Sequence, residues 1–263
     1  MEVVPANQER FEAVCQAVRQ NVRHTAGIGC LAEKSLHATL KSYVAGEFAR
    51  AGQEAVRQET RVGAFVADIA SESGIVEIQT QQLYRLRRKL EAFLPVASVA
   101  VVFPVACTKW IVGVQEETGA VVRRRKSPRQ GRVYDLLPEL YALRPFLSHP
   151  RLRFWIFLLD MEEIRLLAKE KRHARDKGYT RQDMWPLALR AIHEIADLNA
   201  YGVFVPDSLP ETFTTRDYQR ETRLSGRRLH QALGVLLAVG AIQRSGKSGR
   251  FNLYRKMSGY KEE

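Results

Sequence analysis

Asp68 and Glu77 flank the stretch Ser71-Glu72-Ser73-Gly74, and each lies in an apolar run. A Ser/Gly-rich turn between two such runs predicts an antiparallel hairpin. With the turn centred on Glu72 and Ser73, position 68 faces position 77, and both side chains lie on one sheet face. Like charges opposed across a strand pair are destabilising and call for a cation, and carboxylate oxygens at this spacing suit Mg²⁺ or Mn²⁺. Gln79 follows on the same face, where its amide could orient a water or a phosphate oxygen but cannot carry a lysine's charge. The plainer alternative makes Asp68 a turn cap and Glu77 a solvated edge residue. Phe65, Val66, Ile69, Ile75, Val76 and Ile78 argue against it, because acids that punctuate a buried sheet are costly unless they are used. Glu33, on the helix expected before the sheet, could supply a third acid, although an acid in a first helical turn also simply favours the dipole.

The elements that must position these residues follow from the apolar periodicity. Helices are predicted over 8–23 and from Leu31 toward Gly52, the second carrying Glu33, Lys34, His37 and Lys41. Strands follow at 56–60, 63–70 and 75–79, then a helix over 82–94 ended by Pro95. Val-rich stretches at 97–105 and 110–114 read as two interior strands. The basic segment 121–132 reads as an exposed hairpin tip, followed by a helix over 134–143 and a strand over 152–159. Residues 169–181 are too charged for burial and read as a loop, and 187–198 as a helix. This succession predicts an α/β fold, a mixed central sheet flanked by helices.

Gly29 and Glu33 on a helix, Asp68 on a strand and Glu77-Ile78-Gln79 on the next together resemble the PD-(D/E)XK nuclease fold of restriction endonucleases and archaeal Holliday-junction resolvases. The resemblance spans roughly residues 25–115. Glu33-Lys34-Ser35-Leu36-His37, Glu77-Ile78-Gln79-Thr80 and Lys109-Trp110-Ile111 also resemble an uncharacterised bacterial family that joins such a domain to a winged helix. The nuclease resemblance implies metal-assisted hydrolysis. Asp68, Glu77 and the Ile78 carbonyl would hold Mg²⁺ or Mn²⁺ with Glu33 assisting, and Lys34, His37 or Lys41 would contact the phosphate. Gln79 stands where that superfamily has lysine. Some restriction enzymes carry glutamine there and others bring lysine from a neighbouring helix, a part Lys89 or Lys34 would take.

The remainder of the chain speaks to partners. Forty-one Lys and Arg against 29 Asp and Glu give a formal charge of +12, a field that attracts polyanions. Basic clusters at Arg85, Arg88 and Lys89, at Arg124, Arg125 and Lys126, and across 169–177 are candidate phosphate contacts. Beyond Pro206 and Pro210 come two short helices, a stop at Gly240 and a Gly-rich basic hairpin, the order of a winged helix-turn-helix. Arg223, Arg227 and Arg228 on its second helix and Lys247 and Arg250 on its wing would meet DNA. The expected organisation is therefore an α/β domain over 1–165, a charged connecting segment with a helix over 166–206 and a winged helix over 207–263. The expected partner is double-stranded DNA, with RNA and a homodimer left open. A non-catalytic DNA-binding or regulatory protein on a degenerate nuclease fold is the alternative to an endonuclease. No apolar run is long enough for a membrane span, Met1 to Arg10 is unlike a signal peptide, and Cys15, Cys30 and Cys107 are odd in number and far apart. A cytoplasmic protein is expected.

Overall fold

The computed structural model describes residues 1–25, 35–53, 55–115, 118–167 and 178–257. Its centre is a seven-stranded mixed sheet of β1 (Arg57–Val62), β2 (Phe65–Ser71), β3 (Gly74–Ile78), β4 (Val99–Gln115), β5 (Val121–Lys126), β6 (Leu152–Leu167) and β7 (Tyr179–Ile195). The order is β1-β2-β3-β4-β6-β7, with β5 also on β4. The first three strands form an antiparallel meander, β4 is parallel to both β3 and β6, and β7 returns antiparallel on β6. Gly74 makes the tight β2–β3 turn at φ 137°, pressed so closely on the Ser98 carbonyl that a Cβ would not fit. That turn fixes the register on which the acids depend.

Helices cover both faces. On one side lie α1 (Gln8–Thr25) and α2 (Ser35–Arg50), whose Leu36, Leu40, Val44 and Phe48 bury against Ile69, Val76, Ala100, Val102 and Trp155. On the other lie a 3₁₀ turn at Leu83–Leu86, α3 (Arg87–Phe93) and a second helical stretch containing α4 (Leu137–Leu140), packed on Val99, Val101, Phe103 and Phe154. Strand β4 thus sends alternate residues into two cores, as a fully covered strand must.

The structure corrects several sequence-based expectations. The two strands expected at 97–105 and 110–114 are one, β4, because β6 pairs with it along its whole length. The segment 121–132 is not a free tip but begins as β5 on the outer half of β4. The helix expected over 134–143 is broken into 3₁₀, α and 3₁₀ pieces around Pro138 and Pro145. The largest correction is at 187–198, expected as a helix and found as strand β7 to Ile195. Leu187, Ala188, Arg190, Ala191 and Glu194 are good helix formers, but pairing with β6 and hydrogen bonds from Arg153 and Trp155 to Glu194 override that preference. The main sheet therefore runs beyond residue 165, and β7 supplies its last strand.

The C-terminal unit contains β8 (Thr212–Thr214), α5 (Thr215–Thr222), α6 (Gly226–Ala238), β9 (Ile242–Ser248) and β10 (Phe251–Lys256), with sheet order β8-β10-β9. Thr214 caps α5 in a reciprocal capping box with Asp217. Leu229, Leu233 and Leu236 of α6 join the apolar layer of Leu137, Leu140 and Leu143, so this unit is seated on the α4 side of the sheet. Among the described residues no helix is long and apolar enough to cross a membrane.

Candidate active site

Ile69 lies opposite Val76, Ala70 opposite Ile75 and Ser71 opposite Gly74, and one further step of that register sets Asp68 beside Glu77. Asp68 Oδ2 accepts the Ile78 backbone N–H at 2.7 Å and lies 3.4 Å from His37 Nε2. Glu77 is only 2% exposed, and its Oε2 takes the Lys89 ammonium at 2.7 Å. His37 comes from α2 on one face of the sheet and Lys89 from α3 on the other. The acids are therefore clasped from both layers at the rim where β3 ends, the carboxyl edge at which open α/β sheets hold their ligands.

The two carboxylates differ in charge state. Burial alone would raise Asp68, but the hydrogen bonds from His37 and Ile78, with the charges of His37 and Lys89, hold it below the ordinary range. Burial and the neighbouring Asp68 charge push Glu77 up to about 7 despite Lys89. Its second oxygen, Oε1, is buried and makes no well-formed hydrogen bond among the described residues, although the Asp68 backbone N–H lies near enough to favour the charged form. Such a carboxylate oxygen beside a second acid is a donor set suited to a hard divalent cation. Among the described residues no three acidic, imidazole or thiolate groups converge on one point, so a cation there would rest on Asp68, Glu77, backbone oxygen and water.

A third acid that sequence reasoning missed lies next in line. Glu59 on β1 faces Asp68, and the β1–β2 ladder pairs Gln58 with Ile69 and Thr60 with Ala67 while skipping the position between them. Glu59 has φ 51°, unusual for a residue with a side chain, and its carboxylate takes Lys41 Nζ at 2.5 Å. Glu59, Asp68 and Glu77 all line one open cleft with His37, Gln79, Arg85 and Lys89.

The other expected site residues are variously placed. Glu33 and Lys34, like Gly29, Cys30 and the cluster 169–177, lie outside the described residues. Lys41 is 6% exposed and ion-paired with Glu59. Gln79 does not turn its amide nitrogen to the cleft's acids but donates it to the Gln81 carbonyl at 2.5 Å. Arg88 is exposed on α3. On β5, Arg125 and Lys126 are exposed, while Arg124 pairs with Glu162 at 2.8 Å and stacks over Trp110. Arg223, expected on the second helix, instead caps the C-terminus of α5; it is exposed, as are Arg227 in the first turn of α6 and Lys247 and Arg250 on the β9–β10 hairpin. Arg228 instead turns toward the 3₁₀ turn that precedes α4, 2.6 Å from Asp135.

The family model described as a domain of unknown function, DUF8091, matches residues 34–196, which run through the main sheet to the end of β7. An uncharacterized protein of Treponema pallidum (strain Nichols) is 31% identical over 225 residues, 85% of this chain and 85% of that protein. No solved structure matches the chain.

Proposed function

We propose that this chain, which belongs to the DUF8091 family, is a metal-dependent endonuclease that hydrolyses phosphodiester bonds in double-stranded DNA. The observation that carries this reading is the Lys89 ammonium on Glu77, with Asp68 one strand away. A lysine from the following helix takes the place that Gln79 leaves open in a PD-(D/E)XK-like constellation. Asp68 and Glu77 would hold the cation, to which the buried Glu77 Oε1, without a well-formed hydrogen bond among the described residues, would offer an oxygen. When bound, Mg²⁺ or Mn²⁺ would acidify a water and neutralise charge on the phosphate. Lys89 supplies a fixed positive charge to the non-bridging oxygens, where charge grows in the transition state. His37 keeps Asp68 oriented and ionised, and Arg85 at the cleft mouth meets the adjoining phosphate. The β8-α5-α6-β9-β10 order resembles a winged helix, which we assign to delivering the sheet domain to DNA through Arg223, Arg227, Lys247 and Arg250.

A reducing cytoplasmic setting belongs to the same proposal. Cys15 and Cys107 are free thiols, and burial pushes Cys15 up to about 12, as for a packing residue rather than a reactive one.

Supercoiled plasmid incubated with Mg²⁺, Mn²⁺ or chelator tests the reading directly. Nicking that needs metal and vanishes in Asp68→Ala is expected. Intact DNA in every metal, with binding retained, would establish the second reading, a non-catalytic DNA-binding protein. That reading is favoured by one feature: each acid already has a basic neighbour in His37 or Lys89.

A further inference from the structure

Strand β4 has an opening on the side away from β6. Its residues Val99–Val102 pair with β3 and Trp110–Val114 with β5. Between them, among the described residues, the incoming chain bonds only at its margins, Ser127 N–H to the Lys109 carbonyl and Gly131 N–H to the Ala106 carbonyl, both at 2.7 Å. Residues 103–105 have no strand neighbour on that side among the described residues. Pro104 falls at the alternate position between Val102 and Ala106 whose backbone would have faced that neighbour, so its missing N–H costs nothing there. Thr80 and Gln81 form one wall of this gap and Arg129 with Gly131 the other, with Lys109 at its end. Thr80 and Gln81 also close the carboxylate cleft. Arg129 and Arg228 also line the hollow before α6, together with Arg132 and Arg223. Three hollows that share walls make one groove, from Glu77 to the start of α6.

The charge along this groove is arranged for a polyanion. Asp135 serves two guanidinium groups, Arg129 at 3.4 Å and Arg228 at 2.6 Å. Glu163 serves Lys109 at 2.7 Å, Arg165 at 2.5 Å and Arg181 at 3.6 Å. Arg132 donates to the Glu221 carbonyl at 3.0 Å, a neutral acceptor. Cations outnumber acids around Asp135 and Glu163; of their partners Lys109, Arg129 and Arg228 line the groove, beside Glu139, and guanidinium donors left over from such pairing match phosphate oxygens. The arginines are also held in place. A Cβ on Gly131 would meet the Ala106 carbonyl at 2.6 Å, so only glycine lets residues 129–132 lie this close to β4.

We propose that this groove is a continuous track for the phosphate backbone of the DNA strand being cut, with Lys109, Arg129 and Arg132 as the contacts that join the cleft to α6. The proposal rests on the nucleic-acid reading above and deepens it: the sheet domain and the C-terminal unit grip one strand rather than two separate segments. Fluorescence anisotropy of a labelled short duplex, titrated in chelator over a range of salt, tests it. Compared with the wild type, Arg129→Ala/Arg132→Ala binds about tenfold or more weakly, and its salt slope falls by about two. Arg129→Glu gives a loss of the same direction without touching the Arg132 bond to the C-terminal unit, which covers the case in which the double variant loosens the fold. Arg50→Ala/Arg57→Ala removes equal charge at the far end of α2 and β1 and changes binding less than about twofold. Groove variants that bind with wild-type affinity and slope overturn the track and leave the nucleic-acid reading standing. A wild type that binds no DNA at low salt overturns both.

Discussion

Glu77 and Glu163 are both buried on strands of one sheet, 2% and 4% exposed, and each has a lysine ammonium 2.7 Å from a carboxylate oxygen. Their charge states nevertheless move in opposite directions. At Glu163 burial is outweighed by Lys109 and Arg165 hydrogen bonds and by the charges of Lys109 and Arg181, and the carboxyl lies below its ordinary value. At Glu77 burial is reinforced by the Asp68 charge, Lys89 and the Asp68 backbone N–H together do not offset both, and the carboxyl rises to about 7. Burial and a lysine partner are therefore not what mark a site. What distinguishes Glu77 is a second acid alongside, and a buried oxygen that makes no well-formed hydrogen bond among the described residues.

The largest effect expected from breaking this contrast is on stability. Glu163→Ala leaves Lys109, Arg165 and Arg181 facing one another without their shared acid. A loss of about 3 kcal/mol is expected, several degrees of melting temperature, since removing one partner of a buried ion pair strands the others. Thermal unfolding at neutral pH measures it, and a variant that melts with the wild type would show the cluster to be decorative. Lys89→Ala, by contrast, should leave melting nearly unchanged, because Glu77 can take up a proton in place of its cation. Its cost falls on chemistry, a decrease of about 10²- to 10³-fold in the rate of plasmid nicking, the scale of losing one aimed charge in a transition state. Nicking that survives Lys89→Ala at the wild-type rate would remove this lysine from the mechanism.

Next in size is the pH dependence of stability. Glu77 holds its proton in the folded state up to about 7 but releases it near 4.5 when unfolded, so the unfolded state is favoured progressively as pH rises between those values. The penalty, complete above the folded value, is at most about 3 kcal/mol. Glu77→Gln should escape it and melt higher than the wild type at pH 8 while losing nicking. Glu163, with its lowered value, behaves in the opposite sense. It stabilises above the ordinary carboxyl range, and that contribution is lost as pH falls through the folded value. Denaturant midpoints of Glu77→Gln and Glu163→Gln against pH therefore diverge from the wild type in different windows, the first growing from acid to neutral and the second shrinking on acidification. Parallel curves for the two variants would erase the distinction between the glutamates.

How much of this was legible in the sequence depends on the range of the interaction that decides it. The β2–β3 hairpin was readable because its turn, its apolar flanks and its register are all local, and the structure keeps Glu72 and Ser73 at the centre. The mixed sheet with helices on both faces followed from the alternation of element types. Strand β7 was not legible, since its residues favour helix and only pairing with distant β6 decides otherwise. Glu59 was invisible for a related reason: its place beside Asp68 depends on an interruption in the β1–β2 ladder that no residue type announces. Lys89 was readable as a candidate but not as a partner, because its reach to Glu77 depends on how α3 packs across the sheet.

The smallest effect tests whether Lys89 truly stands in for the residue missing at position 79. Gln79 spends its amide on the Gln81 carbonyl and lines the same cleft, so a lysine there would add a second cation near Glu77. In the wild-type background Gln79→Lys should alter nicking by no more than about threefold, since Lys89 already supplies the charge and an added exposed cation contributes little. In the Lys89→Ala background the same substitution should recover much of the lost rate, because the required charge returns from the strand instead of the helix. In the wild-type background the substitution should also bring Glu77 closer to Glu163, two cations in place of one, and so shift the acid limb of the rate profile to lower pH. Failure of the double variant to recover, with its fold intact by circular dichroism, would mean that Lys89 acts through its fixed direction from α3 rather than through charge alone.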